Sequence, residues 1–532
     1  TMSQSDSAMR PAVGGVNLPP PLQSETAVTN LPLAAPKGNG TSIWLTARKA
    51  ASFPVLMGIL LAGVSLVGSR LIKLDPDTWW HIAVGQRIMD THRWPTSDLY
   101  SFTAPGMHWI AYEWLGEVTM ALAARMGGLL GIAFLQIALV ALVTVLLYYY
   151  AYVRCGNWKA ACLATGLVLP VASVIFTLRP QIFGYIFLLV TLICLERFRQ
   201  GHSRSLWILP PLFLIWVNTH GTFVFGLAAI GVYFASGLVS FQLGNLVAEP
   251  WTDRQRKQLL FISLLCGLAV LITPYGAETA AYPVMMAMTQ PFNIANISEW
   301  QPLTFGLAVG KYFLTLMLVI FLAHVFFPIK YRLYELAIFL FSVYAACVHI
   351  RFMLIFLMVL VPIVAAFLTR WMPAYDQSTD KYALNLLIIA VLLIWAAKLL
   401  PGRTEVADSL AKDYPVGAVQ YLRQHPQPTG MFNDYSYGGY LIWQLGPQHK
   451  VFIDGRADLY EYSGVFQDYA HISNLESNAL SLLGKYNIES CLIKRKTGLA
   501  TLLAASPDWK QAYADDQSAI FVRSHAPAPA GN

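Results

Sequence analysis

Long apolar runs separated by short polar loops dominate residues 45–401 of this chain. A bilayer crossing needs about 20 consecutive, mostly apolar residues. Runs of that kind centre near Leu60, Ala138, Leu169, Phe187, Phe213, Ala229, Leu268, Leu318, Phe341, Val359 and Val391. The pattern therefore predicts a polytopic α-helical membrane protein with about eleven transmembrane helices.

Lysine and arginine cluster in every second loop between these runs. The clusters lie at residues 48–49, 154–159, 197–204, 254–257, 330–332 and 370–381. Because cytoplasmic loops accumulate Lys and Arg, we expect the amino terminus in the cytoplasm. The same rule predicts that residues 72–127, residues 277–310 and everything after residue 401 lie outside, on the extracytoplasmic or periplasmic face of the cytoplasmic (inner) membrane.

The two ends of the chain lack such long apolar runs. Residues 1–44 are rich in Pro, Ser, Gly and Ala and predict a disordered cytoplasmic tail. In residues 402–532 the charged residues return and the apolar runs shorten. Strands are predicted at residues 430–433, 450–453, 489–493 and 519–522, and helices at 415–423, 465–483 and 499–505. We therefore expect an extracytoplasmic α/β soluble domain at the carboxyl end.

Composition agrees with this class. The 532 residues are 56% hydrophobic and only 12% charged, which is far from the average of soluble domains. The net charge of +7 does not indicate nucleic acid, since the basic residues are spread as topology signals between apolar runs. Of six cysteines, only Cys491 falls outside the predicted membrane part, so no disulfide framework is expected there. The lipid bilayer is the expected surrounding, and no nucleic acid partner is expected.

The first outer loop, residues 72–127, is the richest in candidate chemistry. It opens with Asp75-Pro-Asp77 and continues through two tryptophans to His81, and Glu113 follows near its end. A helix is expected from about residue 78 to residue 90, because apolar side chains recur there at helical spacing. Such a helix, rich in tryptophan, would lie in the membrane interface, and residues 114–125 form a second amphipathic stretch.

Asp75 and Asp77 admit more than one role. Either carboxylate can act as a general base that takes a proton from an acceptor hydroxyl. The pair can instead hold a divalent cation, Mg or Mn, that neutralises a phosphate leaving group. The structural alternative is a helix cap, with Asp77 or Thr78 as the N-cap residue. His81 and Glu113 are the supporting candidates in this loop.

Five further polar residues interrupt apolar sequence on the same predicted side of the membrane. They are Arg179, His220, Glu299, His349 and Arg351. Ionisable groups at that depth are costly and tend to mark function, and a guanidinium can bind a lipid phosphate with two hydrogen bonds. Four of them also have a structural alternative, which is a snorkelling side chain for Arg179, a helix-end cap for His220 and an architectural ion pair between Glu299 and Arg351.

Two loops of the predicted outer domain end strands with polar residues. They are Asn433-Asp-Tyr435 and Asp454-Gly-Arg456. Loops of this kind shape binding grooves or serve only as turns.

Together, these features resemble the GT-C glycosyltransferases, a superfamily that includes protein O-mannosyltransferases, the lipid A aminoarabinose transferase and oligosaccharyltransferase catalytic subunits. The likeness lies in an acidic first outer loop with an interfacial helix, about eleven spans and a carboxy-terminal α/β domain. At the level of residues it is carried by the segment 74–81, in which Asp75-Pro-Asp77 looks like the first-loop acidic motif of that family. The Trp-Trp-Asp-Tyr-Gly motif of the oligosaccharide transferases is not present, and residues 434–438 are only loosely similar to it.

The resemblance implies an enzyme that moves a sugar from a polyprenyl-phosphate-linked donor to a protein, lipid or glycan acceptor on the extracytoplasmic side. It implies that Asp75 or Asp77 is the catalytic carboxylate. Two other functions fit the same sequence, namely a transporter or flippase of lipid-linked precursors and a membrane scaffold without catalysis. The sequence shows only one clear break in a predicted span, at residues 218–221, whereas transporters often carry symmetric broken helices.

Overall fold

The computed structural model describes residues 46–69, 75–427 and 430–524. The predicted disordered tail, residues 1–44, lies outside the described residues, and so do residues 72–74 at the start of the first outer loop. Over the predicted membrane part the helices are Phe53–Ser69, Pro76–Thr91, Trp114–Cys155, Trp158–Ile175, Gln181–Arg199, Leu209–Val217, Phe223–Ser236, Asp253–Ala269, Ala277–Thr289, Pro291–Asn296, Ala308–Phe326, Leu333–Val348, Met353–Leu368 and Tyr382–Leu399.

The protein is mostly helical and carries several strongly apolar helices, as a membrane protein does. Each predicted span centre lies inside one of these helices. Among the described residues, five helices are long and apolar enough to cross a membrane: Trp114–Cys155, Gln181–Arg199, Ala308–Phe326, Ile350–Leu368 and Tyr382–Leu399. Shorter apolar helices cover Phe53–Gly68, Trp158–Ala172, Ser203–Val217, Phe223–Ser236 and Leu333–Val348. The helix at Leu268 differs, because it begins with the charged residues 253–257 and only its second half is apolar. The number of spans therefore stays a prediction.

Two interruptions of helices shape the region around the first outer loop. The long helix Trp114–Cys155 is kinked at Gly128, whose φ of 56° favours glycine because it has no Cβ. The kink separates the amphipathic stretch predicted at residues 114–125 from the apolar part that follows. The second interruption, residues 218–222, is the break predicted at residues 218–221, and it separates the helices Leu209–Val217 and Phe223–Ser236. We call these five residues the elbow.

The carboxy-terminal region combines helices with a four-stranded sheet. Strand Met431–Asn433 runs parallel to Ser490–Lys494, which pairs antiparallel with Ser518–Arg523, and Trp509–Ala514 forms the edge. The helices are Arg403–Asp413, Val416–Gln424, Tyr435–Leu445, Ala457–Tyr462, Val465–Ser473, Ala479–Lys485 and Gly498–Ala505. The predicted strand at residues 450–453 is wrong, since only Val451 forms an isolated bridge, with Ser101 of the first loop. The helix predicted over residues 465–483 is two helices.

A short three-stranded sheet joins two loops elsewhere in the chain. Strands Phe241–Leu243 and Leu246–Ala248 form a hairpin, and Tyr331–Arg332 adds in parallel.

The helix Pro76–Thr91, here called the first-loop helix, packs on the carboxy-terminal region. Trp79 is fully buried, stacks on Trp443 with ring centroids 4.7 Å apart, and meets Tyr414 and Tyr440 edge to face. Gly439 permits this approach, because a Cβ on it would lie 2.6 Å from the Pro76 carbonyl oxygen. The interface buries large aromatic surface, which is the main driving force for such packing.

A buried ion cluster continues the same interface. Arg456 Nη1 lies 2.7 Å from Asp98 Oδ1 in the first loop, and Nη2 lies 2.7 Å from Asp454 Oδ2. The Tyr460 hydroxyl donates to Asp454 at 2.6 Å, and the backbone amide and hydroxyl of Ser101 donate to Asp98. Both charges of each pair are therefore compensated by partners, as buried ions require. The first loop and the carboxy-terminal region are thus fixed to one another around residues 98 and 456.

Candidate functional site

The first-loop helix begins at the acidic pair. Asp75 is its N-cap residue, since its side chain accepts a hydrogen bond from the Asp77 backbone amide at 3.0 Å, and Pro76 takes the first helical position. The capping alternative named Asp77 or Thr78, and that detail is wrong. The Thr78 hydroxyl instead donates to the Leu178 carbonyl at 2.7 Å, which holds the start of this helix against the residue before Arg179.

Arg179 is the centre of the site. Its Nε lies 2.7 Å from Asp75 Oδ1, its Nη2 3.0 Å from Asp77 Oδ2 and its Nη1 3.0 Å from Glu299 Oε2. One guanidinium therefore joins three carboxylates from three separate segments of the chain. Asp77 also accepts a hydrogen bond from Trp80 Nε1 at 3.3 Å. The interpretation of Arg179 as an ordinary snorkelling side chain does not describe these contacts.

Arg351 lies beside this cluster with fewer partners. Its Nη1 is 3.5 Å from Glu299 Oε1, and its guanidinium covers the Trp300 ring at 4.0 Å. The predicted ion pair between Glu299 and Arg351 is therefore present, but Glu299 is shared with Arg179. Over the described residues the Arg351 guanidinium donates no hydrogen bond to another side chain, so its N–H groups other than those of Nη1, which faces Glu299, are open to an anionic ligand.

A buried row of acids and histidines forms a second part of the site. His81 Nδ1 lies 3.1 Å from Glu117 Oε1, and His81 Nε2 lies 3.6 Å from Glu113 Oε2. His220 Nε2 lies 3.2 Å from Glu113 Oε1. We call Glu117, His81, Glu113 and His220 the acid-histidine row.

The elbow is held in place by the start of the long helix. Trp114 Nε1 donates to the Asn218 side-chain oxygen at 2.8 Å, and the Leu115 amide donates to the Asn218 carbonyl at 2.9 Å. Within the elbow, the Thr222 backbone amide donates to His220 Nδ1 at 3.0 Å. Because Nδ1 accepts, the neutral ring carries its proton on Nε2, the nitrogen that faces Glu113. His220 therefore caps only the elbow, through Nδ1. Its Nε2 still faces Glu113 in the site.

The carboxy-terminal region closes the site from the other side. Gly455 lies against the acidic pair, and Tyr435, Arg456 and Asp458 line the same space. Asp458 accepts a hydrogen bond from the Tyr282 hydroxyl. The Arg456 guanidinium donates hydrogen bonds to Asp98 and Asp454. It therefore lines the cavity but has few N–H groups left for a ligand.

These groups surround one cavity of about 410 Å³. Of the site residues predicted from the sequence, the cavity brings together all but one: Asp75, Asp77, His81, Glu113, Arg179, His220, Glu299 and Arg351. A smaller cavity of about 210 Å³ adjoins it, shares Asp75, Glu299 and Arg351, and is otherwise lined largely by apolar side chains such as Ile175, Ile182 and Ile350.

His349 is the exception. Its Nδ1 lies 2.5 Å from the Trp300 carbonyl oxygen and its ring meets the Trp300 ring edge to face at 5.3 Å. It does not line either cavity. The structure therefore places His349 behind Trp300, where it holds the residue on which Arg351 stacks.

The pKa values of the carboxyl groups in the cavity shift in opposite directions, because burial raises them and nearby arginines lower them. Burial, with the nearby charges of Asp75 and Glu299, raises the pKa of Asp77 to about 7 against the attraction of Arg179. Burial and the charge of Asp77 raise the pKa of Glu113 to about 8. For Glu299, burial acts to raise the pKa, but Arg179 and Arg351 outweigh it and hold the pKa below its usual value. Two carboxyl groups of one cavity thus titrate near neutral pH, a pattern enriched at functional sites.

The acidic pair was also a candidate site for a divalent cation. The Arg179 guanidinium occupies the space between the two carboxylates and Glu299. Over the described residues, no group of three or more His, Cys, Asp or Glu side chains is arranged to hold a metal ion. In this arrangement the acidic pair is paired with arginine, and the assignment of a divalent cation to it stays a prediction.

Several residues of the site were not found from the sequence. Glu117 falls inside a predicted amphipathic stretch, Tyr112 directly precedes Glu113, and Asp458 lies two residues after Arg456. A signal for Glu117 was present, since Glu113 and Glu117 are four residues apart and so share one helix face with the residues near them. The position of Asp458 depends on its hydrogen bond with Tyr282, which lies far away in the sequence. The sequence therefore gives no signal that Asp458 belongs to the site.

The comparisons with known proteins add two distant similarities. No protein-family model matches the chain, and no curated protein matches it. A crystal structure of ArnT from Cupriavidus metallidurans bound to undecaprenyl phosphate is similar at 14% identity and a TM-score of 0.45, over 90% of this chain and 98% of that chain. The apo structure of the same protein is similar at 15% identity and a TM-score of 0.49, over 91% and 98%. Scores and identities this low assign neither a family nor an activity to the chain.

Proposed function

We propose that this protein is a membrane glycosyltransferase that moves a sugar from a polyprenyl-phosphate-linked donor to an acceptor hydroxyl on the extracytoplasmic side. The observation that carries the proposal is the convergence of Asp75, Asp77, Arg179 and Glu299 on one cavity, with Arg351 at the border of an adjoining apolar cavity. A charged chamber beside an apolar one suits a ligand with a polar head and a hydrocarbon chain.

Arg351 is the proposed ligand of the donor phosphate. Its side chain is 17% exposed, and its guanidinium stacks on Trp300 and keeps N–H groups open. Arginine binds phosphate oxygens with a planar pair of N–H groups. In the reaction, the bond between the anomeric carbon and the phosphate oxygen breaks, and the polyprenyl phosphate leaves as an anion. Arg351 stabilises the charge that develops on that oxygen.

Asp77 is the proposed general base. It lines the cavity, and a pKa of about 7 matches the range in which a base can both ionise and accept a proton at neutral pH. The acceptor hydroxyl gives its proton to Asp77 while its oxygen bonds to the anomeric carbon. Such a direct displacement inverts the configuration at that carbon.

Asp75 and Glu299 are proposed as positioning residues. Asp75 caps the first-loop helix and contacts Arg179, so it fixes both Asp77 and the guanidinium. Glu299 contacts Arg179 and Arg351 and sets the separation between them. His81, His220 and Glu113 support this cluster from the side of the elbow. His349 supports it through Trp300.

The test is sugar transfer by the purified protein in liposomes that contain polyprenyl-phosphate-linked sugars. We expect Asp77→Asn to abolish transfer and Asp75→Asn to reduce it strongly. Asp90→Asn is the matched control, since Asp90 lies on the same helix and its carboxylate is an exposed partner of Arg125. Full transfer by folded Asp77→Asn and Asp75→Asn proteins would overturn the carboxylate assignment. Translocation of the lipid without any glycosylated product would instead identify a flippase.

A further inference from the structure

One wall of the cavity carries no group of the reaction proposed above. Tyr112 and Asp458 line this wall, and Tyr282 lies behind both of them without lining the cavity. The Tyr282 ring stacks on Tyr112 with ring centroids 4.1 Å apart, and its hydroxyl donates to Asp458 Oδ2. One residue of the outer loop 277–310 therefore holds both an aromatic ring and a carboxylate on the cavity wall.

The same outer loop fixes the backbone around Asp458. The Gln290 side-chain amide donates to the Asp458 carbonyl at 3.4 Å. Glu461, further along the same helix as Asp458, accepts hydrogen bonds from the backbone amides of Phe292 at 2.9 Å and Asn293 at 2.8 Å. The Asp458 carboxylate is therefore held in a defined position before any ligand binds, which lowers the entropic cost of binding.

Asp458 also keeps an open hydrogen-bond acceptor. Over the described residues, the only side-chain hydrogen bond to its carboxylate comes from Tyr282 on Oδ2, so no side chain donates to Oδ1. The other carboxylates that line the cavity contact Arg179, Arg351 or the histidines of the acid-histidine row. A carboxylate oxygen without a donor side chain is stabilised by water or by a ligand that supplies a hydroxyl.

The proposed reaction limits where the donor sugar can lie. Its anomeric carbon is bonded to the phosphate at Arg351 and is approached by the hydroxyl that Asp77 deprotonates. The rest of the sugar ring must then extend toward a wall that carries neither group. The charges of Asp458 and Arg351 both reach the Tyr112 hydroxyl, and Asp77 acts on the adjacent Glu113. The wall of Tyr112 and Asp458 therefore adjoins the reacting groups.

We propose, building on the function proposed above, that Tyr112 and Asp458 form the subsite for the donor sugar. Asp458 Oδ1 accepts a hydrogen bond from a ring hydroxyl, and the Tyr112 ring packs on the C–H groups of one sugar face. Tyr282 is the positioning residue for both. The subsite selects a sugar with hydroxyl groups away from the anomeric carbon. It disfavours a sugar with its own carboxylate, because two carboxylates in one site repel each other.

The experiment measures how tightly the protein in detergent binds undecaprenyl phosphate and its glucose, mannose and galactose conjugates. The ratio of the two affinities, conjugate to bare lipid, isolates the sugar subsite, since the contacts of phosphate and hydrocarbon chain are common to both ligands. For wild type we expect at least one conjugate to bind about tenfold or more tightly than the bare lipid, the effect of a hydrogen bond to a charged group.

In Asp458→Asn this affinity ratio should fall close to one, while the affinity for bare undecaprenyl phosphate stays unchanged. Asparagine keeps the size of the side chain. With its oxygen on the Tyr282 hydroxyl, however, it presents an amide donor where Oδ1 accepted the sugar hydroxyl. A monodeoxy analogue that lacks this hydroxyl should lose the same factor in wild type and nothing further in Asp458→Asn, because both changes remove one contact.

Asp468→Asn is the matched control. Asp468 also accepts a hydrogen bond from a tyrosine hydroxyl, that of Tyr486 at 2.7 Å, and it lies in the same carboxy-terminal region. It does not line the cavity. This variant should keep the wild-type affinity ratio.

Two further variants keep the test independent of the folding of Asp458→Asn. Tyr282→Phe retains the ring that stacks on Tyr112 but removes the hydroxyl that orients Asp458, so the affinity ratio should fall severalfold. Tyr112→Leu removes the ring that packs on the sugar and should also lower the ratio, whereas Tyr112→Phe should not. The bare lipid should bind equally well to all of them.

The outcomes separate the two proposals. An affinity ratio near one for every conjugate in wild type, or an unchanged ratio in Asp458→Asn and Tyr282→Phe, would overturn the sugar subsite even if wild type transfers sugar. Equal losses of affinity for bare and conjugated lipid would show a structural role and would also overturn it. A wild-type protein that shows the expected ratio but transfers no sugar would retain the subsite and remove the proposed transferase function.

Discussion

Gly455 lies so close to Asp77 that a Cβ built on the glycine would be 1.7 Å from the Asp77 Oδ1 atom. No side chain fits there without displacing the carboxylate. We therefore expect Gly455→Ala to reduce transfer at least tenfold, about 1.4 kcal/mol of transition-state stabilisation, with most of the loss in kcat. Gly484→Ala is the control, because nothing lies within 4 Å of the Cβ position there. Equal kinetics of the two variants would contradict a catalytic position for Asp77.

Transfer should depend on pH through Asp77. A general base works only when it is ionised, and the pKa of Asp77 lies at about 7. We expect kcat/KM to be independent of pH above about 8 and to fall about tenfold per pH unit below about 6. The measurement is a pH profile in the same liposomes. A rate that rises as the pH falls would show that the group acts as an acid.

Arg351 should determine the affinity for the donor phosphate. Arg351→Ala is expected to weaken binding of a polyprenyl phosphate by about 1.5 to 3 kcal/mol, the range for a hydrogen bond to a charged group. Arg351→Lys keeps the charge but not the planar fork, so it should recover only part of that loss. Binding can be measured with undecaprenyl phosphate in detergent. Arg125→Ala, at an exposed ion pair, is the control, and equal affinities of both alanine variants would remove Arg351 from the site.

The buried contact between Arg456 and Asp98 should support stability and not donor binding. Arg456→Leu leaves Asp98 and Asp454 as buried carboxylates without their cation, which typically costs about 3 to 5 kcal/mol. The expected result is a clear drop in the thermal unfolding midpoint in detergent. Adding Asp98→Asn to the variant should recover part of the loss, since one of the unpaired charges is removed. A variant as stable as wild type would contradict this role.

Metal removal should have no effect on transfer. Arg179 already supplies positive charge between Asp75, Asp77 and Glu299. We expect equal rates with and without EDTA, and no stimulation by added Mg or Mn. A loss of activity in EDTA that Mg or Mn restores would show that a cation displaces Arg179 from the acidic pair during the reaction.

The sequence predicted the apolar helices and most of the polar residues that line the cavity for a clear physical reason. Apolar runs of sufficient length are visible in any linear sequence, and Asp75, Arg179, Glu299 and Arg351 stand out because hydrocarbon disfavours charge. Apart from the pair Glu299 and Arg351, it did not predict which of them contact one another. The pairing of Arg179 with the acidic pair depends on the Thr78 hydroxyl, whose hydrogen bond to the Leu178 carbonyl holds the first-loop helix beside Arg179.

The carboxy-terminal region was harder to predict. Residues 450–453 contain a short apolar run, Val451-Phe-Ile453, like that of a buried strand, but Val451 pairs with the first loop and not with the sheet. Asp454 and Arg456 were assigned to a ligand loop or a turn, whereas they form a buried ion cluster with Asp98. Both outcomes depend on contacts between segments far apart in the chain. Local periodicity does not carry information about such partners.

The Gly455 backbone, which forms part of the wall beside Asp77, couples the cavity to the packing of the carboxy-terminal region. The cavity needs side chains from both ends of a long stretch of sequence, so it is complete only while that region rests on the first-loop helix. Loosening this packing would hydrate the buried carboxylates and lower the stability of the protein in one step.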